Sequence, residues 1–302
     1  MSQTAEAVND VSSKPGLANL IPAIVLLQLL DAFCFPVTRF GVQLIEPFTF
    51  AFFRFTVSSI VLLSIVRIMK PGPPIVRADW WKIIMLSILI IPGNQMLYMF
   101  GQSKTAAGHG AFLFATSPVW IFLLAVFHLK EKVTWQKLAG MVLSFAGVLA
   151  IMLGGKAVFG AEYLWGDITV LLAVLAWCYY TIIGKRLVER YGAFRITAYA
   201  LSIGSALYFP FGVYRAATLD YSQTTAGAWL AVAYMALGMS VALYVLWYWV
   251  LKHMEASRLA IWHNFFPVIS AVVAYFALGE PLTATFVIGG ILVLAGVTIN
   301  EV

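Results

Sequence analysis

Apolar residues run along this chain in long blocks, without the alternation or one-sided stripes of a water-facing fold. A helix needs ~20 mostly apolar residues to cross a hydrocarbon layer ~30 Å thick. Ten stretches reach that length: about 18–40, 47–69, 82–101, 106–128, 135–153, 164–186, 194–214, 227–250, 257–279 and 283–300, called spans 1 to 10 here. Turn-forming and polar residues fall between them, as in Pro71-Gly72-Pro73-Pro74, Gly154-Gly155-Lys156 and the run from Asp220 to Thr225. The pattern predicts an all-α membrane protein of ten transmembrane helices with short connections. A polar tail over 1–17 precedes the first span and lacks the basic start, short apolar core and small-residue site of a cleaved signal peptide.

The blocks repeat. Shifted by 149 residues, AAGHGAFLFATSPVWIFLLAVFHLKEKVTWQKLAGMVLSFAGV, ending at Val148, aligns with EASRLAIWHNFFPVISAVVAYFALGEPLTATFVIGGILVLAGV, ending at Val297. Pro118 and Pro267, Glu131 and Glu280, Thr134 and Thr283, Gly140 and Gly289, and Gly147 and Gly296 coincide without a gap. The halves are 18–153 and 164–300. An odd number of spans in each half turns the second upside down, so two inverted five-helix repeats are expected, an arrangement suited to alternating access.

Composition changes the solvent, not the elements. With 62% hydrophobic and 11% charged residues, against ~25% charged in ordinary soluble domains, the chain belongs in lipid. The net charge of +6 forms no continuous basic patch, so it points to topology and excludes a nucleic-acid partner. With a cytoplasmic N-terminus, most lysines and arginines lie inside or at inner span ends. Only Arg39, Lys104, Lys156 and Arg215 lie outside, and Arg54 falls within span 2. Both termini are therefore expected in the cytoplasm, with a bacterial inner membrane as the setting. Cys34 and Cys178 lie in apolar runs without metal-ligand spacing.

The proline-bearing span 4, the links Leu129-Lys130-Glu131 and Leu278-Gly279-Glu280, and the glycine-spaced helices after them resemble the ten-helix EamA-type exporters of the drug/metabolite transporter superfamily. Arg54 matches an arginine those proteins often carry in span 2, whereas span 7 has no counterpart. The resemblance covers residues 18–300 and implies export of amino acids, amphipathic drugs or other metabolites. The aromatic residues described next make the chain most similar to the aromatic-amino-acid (YddG-type) branch.

Polar groups at membrane depth are costly and mark candidate sites. Gln28 and Asp31 share a face of span 1. Asp31 suits a substrate ammonium or a carried proton; it equally suits a buried pair with Arg39 or Arg54, or a neutral carboxyl bonded to backbone. Span 3 carries Pro92-Gly93-Asn94-Gln95 and Tyr98, and span 8 has Gly238, Ser240 and Tyr244 in the corresponding region. Interruptions at matching places in two halves favour a binding site, and a packing kink is the alternative. Span 9 brings Trp262, His263 and Asn264 near Pro267; span 4 brings His109, Thr116 and Ser117 near Pro118; span 6 adds Trp177, Tyr179 and Tyr180. Trp80, Trp81, Trp135, Trp165 and Trp229 fit an interfacial belt. Trp177 and Trp262 lie deeper and suit stacking on an apolar substrate or packing between helices.

The candidate substrate contacts are Gln28, Asp31, Asn94, Tyr98, Trp177, Tyr180, Tyr244, Trp262, His263 and Asn264, with Pro92, Gly93, Pro118, Gly238 and Pro267 as hinges. Glu131 and Glu280 would lie at opposite faces, so they cannot share a catalytic site; a role at helix starts, with Thr134 or Thr283 as cap, fits them better. Gly140, Ser144 and Gly147, with Gly289 and Gly296, let spans 5 and 10 approach closely at the periphery or across the two-fold axis. No zinc-protease, nucleophile-elbow or phosphate-loop motif is present, so no enzyme activity, cofactor or metal is expected. The reading is a secondary-active or facilitative exporter of small metabolites, amino acids first, working as a monomer or homodimer. Exporters of amphipathic drugs are the alternative, and a membrane enzyme or channel comes last.

Overall fold

The computed structural model describes residues 17–69, 72–105, 107–153, 163–265, 268–269 and 284–301. The apolar blocks are helices, and the described residues contain no strand. Pro47–Ile68, Arg77–Gln102, Phe112–Leu129, Leu164–Tyr191, Ala193–Ala217 and Ala226–His253 are long and apolar enough to cross a membrane, by length and composition. Leu17–Ala32, Trp135–Ile151 and Thr285–Asn300 are shorter apolar helices. Span 1 continues beyond a turn at Phe33 as Cys34–Leu44, and span 9 is described from Ala256–His263. Pro267, Glu280 and Thr283 lie outside the described residues, as does the side chain of His109.

Local chemistry explains where the helices start and bend. Pro47 occupies the first position of span 2, where its missing N–H costs nothing, and Glu46 caps that start by accepting from the Thr49 N–H at 2.9 Å. Pro92 cannot donate to the preceding turn, and the coil around it, Leu89–Met96, widens to π geometry. Met235–Leu243 in span 8 widens likewise without a proline. Span 4 breaks at Thr116, immediately before the helix Ser117–Leu124 that holds Pro118 near its start. Gly93 allows span 6 to come close: a Cβ there would sit 3.2 Å from Ala176 Cβ. Around Gly238 nothing lies nearer than the Tyr234 ring at 3.4 Å, so packing does not require that glycine.

Spans 5 and 10 show how the halves are related. A Cβ on Gly140 would meet the Gly296 carbonyl oxygen at 2.6 Å, and one on Gly296 would meet that of Gly140 at 2.6 Å. Gly147 and Gly289 repeat this at 2.5 Å in both directions. Residue numbers rise along one helix as they fall along the other, so the pair is antiparallel. Each glycine touches the repeat mate of the other (289 − 140 = 149; 296 − 147 = 149). A two-fold relation across the helix axes follows, and the small-residue stripe is spent on this internal crossing.

The outer surface remains apolar, with Leu230, Val142 and Phe127 exposed. The belt tryptophans Trp80, Trp81, Trp135, Trp165 and Trp229 are also all exposed. At one end of the bundle Glu46 pairs with Arg215 of span 7 at 2.8 Å. At the other end Glu131 accepts from the Ala256 N–H at 2.7 Å, from the Ser257 N–H at 3.1 Å and hydroxyl at 2.6 Å, and from Lys185 Nζ at 3.3 Å. The carboxylate therefore caps the start of span 9 from the opposite half, while Thr134 caps its own span by accepting from Lys137 N–H at 3.3 Å. Burial works against the Glu131 charge; the Ser257 hydroxyl, the Lys185 ammonium and the two backbone N–H groups outweigh it and hold the carboxyl below its usual range.

Candidate functional site

Spans 1, 2, 3, 6, 8 and 9 bring their polar residues to one region of the bundle. From span 2, Arg54 extends into the core, where its Nε donates to Ser240 Oγ at 2.7 Å and its Nη1 to Gln95 Oε1 at 3.4 Å. Its guanidinium also lies 4.9 Å from the Phe55 ring centroid. Gln95 passes the network on, donating to Asn94 Oδ1 at 2.6 Å and to the Tyr244 hydroxyl at 3.4 Å. Asn94 in turn donates to the Ala173 carbonyl of span 6 at 2.9 Å. A buried arginine is tolerable here because partners from two other spans take its N–H groups.

Tyr244 joins this network to a run of rings. Trp177 lies 5.8 Å from Tyr244, 5.7 Å from Tyr180 and 5.3 Å from Trp247, centroid to centroid. Tyr180 stacks on Tyr248 at 4.8 Å, and Trp247 meets His263 edge-on at 5.5 Å. The Tyr248 hydroxyl donates to the Tyr180 carbonyl at 2.9 Å and fills the space beside Gly184 where a Cβ would stand. The run ends at span 1: His263 Nε2 is 3.7 Å from Asp31 Oδ2, close but too long for a direct hydrogen bond. Both side chains keep some exposure, 21% and 17%. Gln28 donates to the Trp262 carbonyl at 2.9 Å, while its Oε1 is buried without a partner among the described residues.

The repeat runs through this region too. Gln95 and Tyr244, which touch, are mates under the 149-residue shift (244 − 95 = 149), so the two-fold axis passes beside them. Tyr98 and Phe114 meet edge-on at 5.0 Å, and their mates are Trp247 and His263, the same contact in the other half. The second copy differs in chemistry: an imidazole facing Asp31 replaces a phenyl ring.

Most of the residues singled out from sequence therefore converge: Gln28, Asp31, His263 and the backbone of Trp262 in one group, Trp177, Tyr180 and Tyr244 in the adjoining one, with Asn94 tied to it through Gln95, while Tyr98 packs on Phe114. Asn264 points elsewhere, donating to Ser144 Oγ of span 5 at 2.7 Å in a buried contact. Gln95 and Trp247 were not among the expected contacts. Gln95 could have been found as the second amide of a mid-span polar pair. Trp247, a tryptophan towards the inner end of span 8, is only 1% exposed and packs on Trp177 and His263.

Comparisons with known proteins agree with this architecture. The model of the EamA-like transporter family matches residues 20–153 and again 164–301. An uncharacterized transporter of Archaeoglobus fulgidus is 30% identical over 289 residues, 92% of this chain and 95% of that protein. A probable terminal-alkyne amino-acid exporter of Streptantibioticus cattleyicolor is 26% identical, with 93% of each chain covered. Among solved structures, a crystal structure superposes with a TM-score of 0.81 over 96% of this chain and 99% of its own at 17% identity, a likeness of fold. Two family matches, one on each half of a bundle whose polar core crosses both, lead to one assignment: the chain belongs to the EamA-like transporter family of membrane transporters.

Proposed function

We propose that the protein exports small zwitterionic metabolites, amino acids with apolar or aromatic side chains foremost, by exposing the Asp31–His263 region alternately to the two membrane faces. The observation that carries this reading is the adjacency of an acid–imidazole pair to the Trp177–Tyr244–Trp247 rings. A substrate ammonium meets Asp31, and its apolar end lies along the rings. Gln28 Oε1 and the hydroxyls of Tyr98 and Tyr244 serve the polar end, with Trp262 and Tyr180 completing the wall. Asn94 and Asn264, each held by a fixed bond to a neighbouring span, position the site rather than touch the substrate. The widened coils at Pro92-Gly93 and Gly238 and the break before Pro118 act as the bending points, and Pro267 does so by the repeat. The relative named as a probable amino-acid exporter supports the substrate class. The distribution of lysine and arginine supports both termini in the cytoplasm of a plasma membrane.

Purified protein in liposomes, loaded with unlabelled amino acid, should take up labelled phenylalanine or leucine faster than empty liposomes. If no amino acid moves faster than the background, the reading is lost. Flux of an amphipathic cation, with amino acids inert, would instead favour drug export. Asp31→Asn separates the two roles of the carboxylate: loss of affinity marks ammonium binding, and loss of pH dependence alone marks proton coupling.

A further inference from the structure

A cleft of about 330 Å³ opens where spans 3, 4 and 6 meet one membrane face, lined by none of the residues of the Asp31 region. Its rim carries three cations, Lys82, Arg186 and Arg190, against a single carboxylate, Asp79. Asp79 is already shared, with Oδ1 2.8 Å from Lys82 and Oδ2 2.9 Å from Arg190 and 2.7 Å from the Tyr191 hydroxyl. Among the described residues Arg186 makes one hydrogen bond, to the His128 carbonyl at 2.6 Å, so the rest of its donor fork is open to a ligand. Arg190 is 57% exposed. Net positive charge therefore faces outward from the cleft.

Below the rim the walls turn apolar. Met85, Ile182, Ile183 and Leu187 supply the apolar lining of the cleft. Exposed Ile84, Ile88, Phe127 and Tyr179 on the same three spans carry the apolar surface onward into the hydrocarbon layer. Trp81, 58% exposed, stands at the rim like an interfacial anchor. The arrangement is cationic at headgroup level and apolar beneath.

We propose that this cleft is a binding site for an anionic phospholipid, whose phosphate lies between Arg186, Arg190 and Lys82 and whose acyl chain runs past Ile183 along spans 3 and 6. A soluble phosphate would match the cations but leave the apolar track unused. Basic pockets between spans suit acidic headgroups because the membrane surface holds the ligand at high local concentration.

The test uses the full chain in detergent. Native mass spectrometry is expected to show phosphatidylglycerol retained on the protein and phosphatidylcholine lost, and phosphatidylglycerol should raise the unfolding temperature. Arg186→Gln, which leaves the Asp79 cluster intact, should weaken retention about fivefold, and Arg186→Gln with Arg190→Gln by about the square of that. Arg67→Gln with Lys252→Gln, basic positions at other span ends, should leave retention unchanged. Equal retention of phosphatidylcholine, full retention by Arg186→Gln, or an equal thermal shift from inorganic phosphate would overturn the proposal. Should the double variant fail to fold, Arg186→Gln and the wild-type lipid comparison decide the matter.

Discussion

Trp177 is central to the packing of the site, because Tyr180, Tyr244 and Trp247 all pack on it. Trp177→Ala would remove a buried ring at a cost of ~3–5 kcal/mol and confuse folding with function. Trp177→Phe keeps the filling and narrows the surface, so it should raise the apparent KM for an aromatic amino acid several-fold at little change in unfolding temperature. Unchanged transport kinetics in that variant would return the ring to packing. Much at this scale was legible from residue type and depth: Asp31, Tyr244 and His263 stand out because lipid tolerates such groups only for a reason. Their partners were not legible. Asn264 reads like its neighbour His263, and only the direction of the side chain, set by close packing against Ser144, separates the two.

Among elements, the start of span 9 depends on a carboxylate from the other half. Glu131→Gln keeps the shape but loses the charge, which should cost about 1–2 kcal/mol as a lost cap and leave Lys185 with weaker compensation. Because the fold holds this carboxyl below its usual range, its stabilisation is complete at neutral pH and disappears as pH falls through that lowered value. Thermal unfolding followed from neutral to acid should therefore show the wild type converging on Glu131→Gln at low pH. Parallel curves would assign the stabilisation to another group. Sequence placed a structural carboxylate here, yet it gave Glu131 to the helix that follows it, because a cap reaching residues 256 and 257 depends on how the halves meet. The span positions, by contrast, were readable to within about five residues where the structure describes them, since apolar length is a local property; span 3 starts at Arg77 and span 6 runs on to Tyr191. The widened coil over Met235–Leu243, with no proline to announce it, was not.

Over the whole molecule, the two halves are joined most tightly where glycines allow backbone to touch backbone. Gly147→Val would drive a side chain into the Gly289 carbonyl and should destabilise by roughly 1–3 kcal/mol or more. Gly290→Ala, whose nearest described neighbour is Val268 at 3.7 Å, should be tolerated. Unfolding in a denaturing detergent titration compares them, and equal sensitivity would argue against a close crossing. This contact also constrains motion. Backbones that interlock at two points along their length cannot slide without first separating, so in the proposed alternation spans 5 and 10 serve as the pivot and displacement grows with distance from it. Spin labels at the exposed mates Val142 and Ile291 should report one distance whether or not substrate is present, while labels at Phe127 and Trp249 should report two.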